Sequence, residues 1–352
     1  MSGGQGVPLS VIVPAHNAAG TVRRCVDSLL AQGVEGMEIL LVDAGSTDGT
    51  GGILDGFAAG HPDRVRVLHL PDVGVSAARN AGLAAARGAY IGFVDSDDYA
   101  APGMYARLCA LMDAEGCDLA VCAKYLVRGT EVRVKAHAEA LRGGGVFPVS
   151  GEQALCMLLD QLSNFVWDKL FRADLIRAHG LQFPEAFSYS EDFAFLAQYL
   201  SYARSVRTTD EPLYYYDQGN PHSISNSASE RWADAFGCFA LLVDAFRARG
   251  MEAAVRAVCR VAFRTYDYRV NSFYRFSAKG IQRAYVRTAF RFLEESLPGW
   301  RSEVAAGSGV LFPRIKARKA LMLLYVWLPN VLKKPLLSRV ERRAWLRNPS
   351  AQ

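Results

Sequence analysis

Apolar residues in the first third of the chain fall into two alternating patterns: short unbroken runs, and longer stretches in which they recur every three or four positions. The runs are LSVIVPAHN, apolar as far as Pro14, then MEILLVDAG, RVRVLHL and AYIGFVDSDD. Runs of this length that are apolar at successive positions predict strands buried on both faces. Helical spacings lie between them. GTVRRCVDSLLAQG places Val22, Cys25, Val26, Leu29 and Leu30 on one side, behind Thr21 as a cap. STDGTGGILDGFAAG offers Ser46, Thr47 and Asp48 as caps before Ile53, Leu54 and Phe57, and GVSAARNAGLAAARG reads as an Ala-rich helix closed by Gly88. The β-α-β-α repetition predicts an α/β fold, a Rossmann-like, mostly parallel sheet with helices on both faces. Such sheets bind ligands beyond the carboxyl ends of their strands, so Pro14 to Asn17, Asp43 to Asp48 and Asp95 to Asp98 should share one rim.

Beyond about Glu230 the pattern turns helical. RWADAFGCFALLVDAFRARG and EAAVRAVCRVAFRTYDYRVNSFYRF carry broad apolar faces and predict helices packed on the sheet domain. The expected division is a sheet domain over 1–228, with halves at about 8–124 and 125–228, and a helical C-terminal region over 229–352. Half of the 352 residues are hydrophobic, enough for a full core.

Charge separates the tail from the rest. Residues 311–347 hold ten Lys/Arg and one acid, a balance of 10 − 1 = +9, which leaves 5 − 9 = −4 for the remainder of a chain whose net charge is +5. The apolar block Ala320 to Leu328 inside that tail is too short to span a bilayer, contains Tyr325 and Trp327, and is flanked by basic residues. That combination predicts an interfacial anchor on an anionic membrane surface, the competing reading being a docked helix with a solvated basic flank. Nucleic acid is not the expected partner, because the tail carries no recognised binding module and the rest of the chain is acidic. The seven cysteines are scattered without metal-ligand spacing and predict reduced, mostly buried thiols. The first residues lack the basic region of a secretory leader, and no segment offers the roughly 20 apolar residues of a spanning helix. The expected location is therefore cytoplasmic, peripheral to the inner face of the plasma membrane.

The strand AYIGFVDSDD ends in three acids among four residues, which burial alone would penalise. A cation, a polyanionic ligand held through a cation, and a solvated turn are the readings. Asp95 and Asp97 lie two apart, so on an extended chain they project to the same side. Two such carboxylates suit Mn²⁺ or Mg²⁺, with water and phosphate oxygens completing the shell. The first loop, VPAHNAAGTV, has neither GxGxxG nor GxxxxGK[ST], and no basic residue precedes Arg23, which argues against dinucleotide, P-loop and nucleotidylyltransferase sites.

Five segments in order, SVIVPAHNAAGTVRRCVDSLLAQ, EILLVDAGSTDGT, GVSAARNAGLAAARGAYIGFVDSDDY, WDKLFR and YSEDFAF, resemble the family 2 glycosyltransferases of GT-A fold, from about Leu9 to Ser227. The resemblance implies transfer of a sugar, with inversion, from a nucleotide diphosphate donor, usually UDP-linked. It assigns Asp43 to the nucleobase, and Pro14, Ala15, His16 and Asn17 to the loop lining base and ribose, with Gly45 and Ser46 on the second turn. Arg79 falls near the nucleotide and diphosphate; Asp95, Ser96 and Asp97 form the DxD element, with Asp95 and Asp97 at the metal. The sequence departs from the family's VDDGS at Ala44, and His16 replaces the usual first-loop aromatic.

Inverting transfer needs a general base. FSYSEDFAFLAQYL puts Ser190 at a helix N-cap, with Glu191 and Asp192 in the first turn, where the helix dipole favours ionised carboxylates. The resemblance to the family's ED makes Asp192 the base and Glu191 the residue that orients the acceptor. His222, in DQGNPHSISNS, is a candidate third metal ligand or diphosphate contact. Trp167 and Lys169 either line the acceptor side or form a packed indole beside a solvated ammonium. Two functions follow: a membrane-attached glycosyltransferase acting on a saccharide, lipid-linked in a cell-surface polysaccharide pathway, or a non-catalytic sugar-nucleotide-binding scaffold that keeps the fold.

Overall fold

The structure is a computed structural model that describes residues 7–219, 230–276 and 279–298. The four apolar runs form strands β1 (Leu9–Ala15), β2 (Glu38–Ala44), β3 (Val65–Leu70) and β4 (Tyr90–Phe93), joined by helices α1 (Val22–Leu30), α2 (Thr50–Gly60) and α3 (Val75–Ala85). Every residue of β1 and β2 is buried, which is why both read as unbroken apolar runs. These four strands pair in parallel in the order β3-β2-β1-β4. The order reverses at β1, so the crevice beyond β1 and β4 is the switch point where doubly wound sheets bind ligands.

The sheet continues through β5 (Tyr99–Ala100), β6 (Leu119–Arg128), β9 (Lys169–Arg172) and β10 (Ser205–Asp217), in the order β4-β9-β6-β10-β5. Strand β9 enters antiparallel between β4 and β6, while β10 runs parallel to β6. Strands β7 (Glu131–Lys135) and β8 (Val146–Pro148) add short antiparallel pairs at β6 and β10. Helices α4 (Met104–Glu115), α5 (Glu152–Gln161), α6 (Ala173–Ala178) and α7 (Glu191–Leu200) complete this half.

An aromatic cluster couples the halves. Phe93 of β4 meets Phe171 of β9, Phe183 of the following loop and Phe195 of α7 edge-on, at centroid distances of 5.8, 5.3 and 5.9 Å. Behind α7 lie α8 (Asp234–Ala248), α9 (Glu252–Phe276) and α10 (Lys279–Ser296), all within one compact unit that ends at Ser296. Phe239 of α8 contacts Phe193 of α7, and a Cβ added to Gly237 would lie 2.1 Å from the Phe187 ring. Helices α8, α9 and α10 meet the helical expectation among the described residues; the basic tail 311–347 lies outside them.

Three local expectations are corrected. Thr21 occupies the N-cap of α1 without a side-chain cap, its hydroxyl turning instead to the Ala18 carbonyl at 3.4 Å. None of the three candidates is the N-cap of α2, which is Gly49 at φ 93°; Asp48 precedes it and accepts from the Thr50 amide at 3.0 Å and from the Ala19 amide at 3.0 Å. Gly88 lies past the end of α3 and is needed for close approach, since a Cβ there would meet the Ser10 amide nitrogen at 2.4 Å.

Candidate active site

Strand β4 ends at Phe93, and the acids that follow it lie in a turn closed by the Asp98 amide on the Asp95 carbonyl at 3.0 Å. The alternation expected to aim Asp95 and Asp97 together is therefore replaced by turn geometry. Asp98 is structural: fully buried, it accepts from the Tyr214 hydroxyl at 2.8 Å and the Asp217 amide at 2.7 Å. Burial, with Asp95 and Asp97 alongside, pushes its carboxyl well above the ordinary range. Arg24 of α1 secures the other side, donating to the Asp97 carbonyl at 2.7 Å and to Asp217 at 2.8 Å while its guanidinium lies 4.5 Å over Tyr99. Sequence reasoning singled out neither Arg24 nor Tyr214; nothing local distinguishes them, because their partners are over seventy residues away.

Arg79 sits at the centre of the site. Helix α3 lies so close to β1 that a Cβ on Gly82 would fall 2.4 Å from Ile12 Cγ2, and this approach carries Arg79 into the interior. Its Nη2 donates to Asp95 Oδ1 at 2.8 Å, and its Nη1 to Asp192 Oδ1 at 2.6 Å and Glu191 Oε1 at 3.0 Å. Burial works to lower the Arg79 pKa, but Asp192, Asp95 and Glu191 together raise it, so the guanidinium stays charged. Its Nε is buried without an acceptor among the described residues, a feature expected where a ligand completes a network.

One guanidinium against three carboxylates leaves an excess of negative charge. Burial raises the Asp192 carboxyl to about 8; Arg79 opposes the rise, Glu191 and Asp95 add to it, and the Val166 amide opposes it. Burial and the neighbouring acids thus work against the ionised carboxylate that the first turn of α7 was expected to favour. Ser190, expected to cap α7, makes no side-chain cap and sits at φ 66°. It and Asn17, at φ 50°, are the non-glycine residues of positive φ among those described, and both flank this rim.

The residues expected to receive the nucleotide are laced together. Burial works to raise the Asp43 carboxyl, but hydrogen bonds from Ser46 and His69 hold it below the usual range, with the Ser46 amide 3.0 Å from Oδ1 and His69 Nδ1 3.2 Å from Oδ2. His69 bridges on to Asp55 at 2.9 Å, and these hydrogen bonds, Asp55 first and then Asp43, raise the imidazole pKa. His16 Nδ1 donates to the Ala44 carbonyl at 2.9 Å, which leaves Nε2 to accept from Asn17 Nδ2 at 3.0 Å. Asn17 also ties the first loop to the second, accepting from the Thr47 amide at 2.8 Å and donating its own amide to the Ser46 hydroxyl at 3.0 Å. Gly45 is obligatory, with φ 74° and room for no Cβ against the Asp72 amide.

Lys169 is neither solvated nor at a surface. It is fully buried and donates to Asp168 Oδ1 at 2.6 Å, to the Ser163 hydroxyl at 2.9 Å, and to the Ser163 and Phe165 carbonyls at 3.0 and 2.7 Å. Trp167 is buried against Tyr214, their rings stacked at 4.3 Å.

No group of three His, Cys, Asp or Glu among the described residues makes a closed metal cage. Asp95 gives one oxygen to Arg79, which leaves the other for a cation. Asp95 and Asp97 thus fit a hard divalent ion whose remaining ligands come from water and a bound diphosphate. His222 lies outside the described residues.

Residues 10–164 match the family model described as glycosyl transferase family 2. Over 223 residues the chain is 35% identical to an uncharacterized glycosyltransferase, EpsJ, of Bacillus subtilis, covering 62% of this chain and 63% of that one. Over 97 residues it is 43% identical to the hyaluronan synthase of Pasteurella multocida, covering 27% and 10% of the two chains. The chain thus spans about three fifths of the length of the first curated relatives it matches. Among solved structures, residues 1–349 of S. aureus TarS in complex with UDP-GlcNAc superpose with a TM-score of 0.66 at 20% identity, over 83% of this chain and 82% of that one. That likeness carries the fold, which is GT-A with added C-terminal helices.

Proposed function

We propose, from the match of residues 10–164 to the glycosyl transferase family 2 model, that the chain transfers a sugar, with inversion, from a UDP-linked donor to a saccharide acceptor during synthesis of a surface polysaccharide. The observation that carries this reading is Arg79, which joins Asp95 on the donor side to Glu191 and Asp192 on the acceptor side. Asp43 and the loop from Pro14 to Asn17 would receive the nucleoside. Asp95 and Asp97 would hold Mn²⁺ or Mg²⁺. When bound, that cation neutralises charge gathering on the departing diphosphate.

The remaining chemistry belongs to the chain's own groups. Asp192 takes the proton of the acceptor hydroxyl as that oxygen bonds to the anomeric carbon and the bond to the donor phosphate breaks, its electrons leaving with the diphosphate. A carboxylate made more basic by burial is better suited to this than an exposed one. Arg79 holds Asp192 and Asp95 in fixed relation, so base and donor are positioned together. Glu191 shares the guanidinium and orients the acceptor. A lipid-linked acceptor and attachment to an anionic membrane are supported by the composition of residues 311–347. Among the described residues, no helix is long and apolar enough to cross a membrane.

The test is a panel of UDP-sugars incubated with the intact protein and Mn²⁺, with and without saccharide acceptors, following UDP release. Release with at least one sugar is expected. Binding of donors without turnover under any condition would leave a sugar-nucleotide-binding protein in place of an enzyme.

A further inference from the structure

Phe165 is an exposed aromatic, with 38% of its surface accessible, while its neighbours from Val166 to Leu170 are buried. One face of the ring is stacked on Trp167 at a centroid distance of 4.8 Å and an interplanar angle of 18°, and Tyr216 lies tilted against it at 5.9 Å and 42°, so the exposed surface belongs to the part of the ring turned away from both. The backbone beneath it is fixed: the Phe165 carbonyl accepts from buried Lys169 at 2.7 Å, and the same ammonium holds Ser163. Lys124 Nζ, paired with Asp168 at 2.6 Å, lies 5.2 Å from the Phe165 centroid and adds a cation–π contact. The ring is therefore an open aromatic plate on a rigid mount.

Its position points to a use. The amide after Phe165, that of Val166, is near enough to Asp192 to hold its carboxyl down against burial. Trp167, on which Phe165 rests, stacks on Tyr214, whose hydroxyl meets the Asp95 amide at 3.3 Å and Asp98 at 2.8 Å. The plate is thus carried by the same elements that hold the acid turn, beside the carboxylate assigned as base. A pyranose presents a face of C–H groups that packs on an aromatic ring while its hydroxyls stay hydrated, and apolar plates with a few polar groups are how small ligands are oriented.

Resting on the glycosyl-transfer reading, we infer that the outer face of Phe165 is an acceptor subsite that stacks a pyranose ring next to Asp192. The probes are methyl β-glucopyranoside, methyl β-galactopyranoside and methyl N-acetyl-β-glucosaminide, with glycerol as a polyol without a ring. Saturation-transfer NMR on the intact chain, with Mg²⁺ and UDP, reads which ligand protons touch the protein. At least one pyranoside should bind through the C–H protons of one ring face, and glycerol should not. Phe165→Ala should weaken that binding about tenfold, whereas Phe165→Tyr should retain it within about threefold. UDP affinity should stay within about twofold in both variants, which separates the acceptor subsite from a base-stacking role. Pyranosides that fail to bind the wild type, or bind Phe165→Ala equally well, overturn the subsite. Failure of UDP, GDP and dTDP alike to bind the wild type overturns the glycosyl-transfer reading itself and the subsite with it.

Discussion

Asp192 is a carboxylate asked to be both buried and basic. Because burial raises it to about 8, it accepts a proton well only when the pH is high enough to ionise it. Its contribution to transfer is therefore present above that value and lost as pH falls through it, so kcat/KM should climb toward a plateau above pH 8. Asp192→Asn should lower transfer by about 10²-fold or more with donor affinity retained, and should remove that rise. A crippled Glu191→Gln beside an active Asp192→Asn would exchange the two roles. The same residue limits stability in the opposite direction. The folded chain keeps a proton there that the unfolded chain gives up near its ordinary value of 3.8, so stability falls as pH rises between the two values. At the donor side, Asp97→Ala should leave the melting temperature near that of the wild type while abolishing most metal-dependent donor affinity by calorimetry. Full activity of this variant, or of the wild type in excess chelator, would rule out a metal-assisted reaction.

At the scale of elements, the site is assembled by close approaches that only glycine permits. Helix α7 carries the two acids and is backed by α8, where the Gly237 position leaves no room for a methyl group beside Phe187. The loop ahead of α7 is tied to the same helix by the Ser188 amide on Asp234 at 3.0 Å. Gly237→Ala should force α8 away from this loop, destabilising the protein by roughly 1–3 kcal/mol and lowering transfer without a change in any group that touches substrate. Differential scanning calorimetry and UDP release on the same preparation read both effects. An unchanged melting temperature would mean that Phe187 swings aside freely and that α8 does not govern the position of α7.

For the whole molecule, the division of charge separates chemistry from attachment. The proposed chemistry lies before residue 228, while the basic excess of +9 is confined to residues 311–347. Basic side chains close to an anionic leaflet contribute about 1 kcal/mol each, and the apolar block from Ala320 adds burial without spanning. Truncation before Pro313 should release the protein from anionic vesicles in a flotation assay, and raised salt should weaken binding of the intact chain by screening. Transfer to a short soluble acceptor should survive that truncation. An intact chain that ignores anionic vesicles at low salt would mark the tail as a structural helix.

What the sequence by itself determined was local or periodic. The buried runs of β1 and β2, the helices between them, the rim they share, and the placing of Asp43, Arg79 and Asp95 on it follow from hydrophobic pattern, the rule of strand ends and family motifs. Such features are written in residues a few positions apart. What only the tertiary structure decided were the partnerships between distant segments. Asp192 is buried against Arg79, 113 residues away, and burial together with Glu191 and Asp95 raises its pKa in spite of the guanidinium, so an acid expected to ionise freely became one that holds its proton. Asp98, adjacent to two candidate ligands, became a structural acid because Tyr214 and Asp217 arrive from β10. Lys169, read as solvated or acceptor-facing, became a buried anchor under Phe165 because the loop folds over it. The charge state and role of each of these groups depend on desolvation and on neighbours within hydrogen-bond reach, and chain folding alone brings those neighbours together.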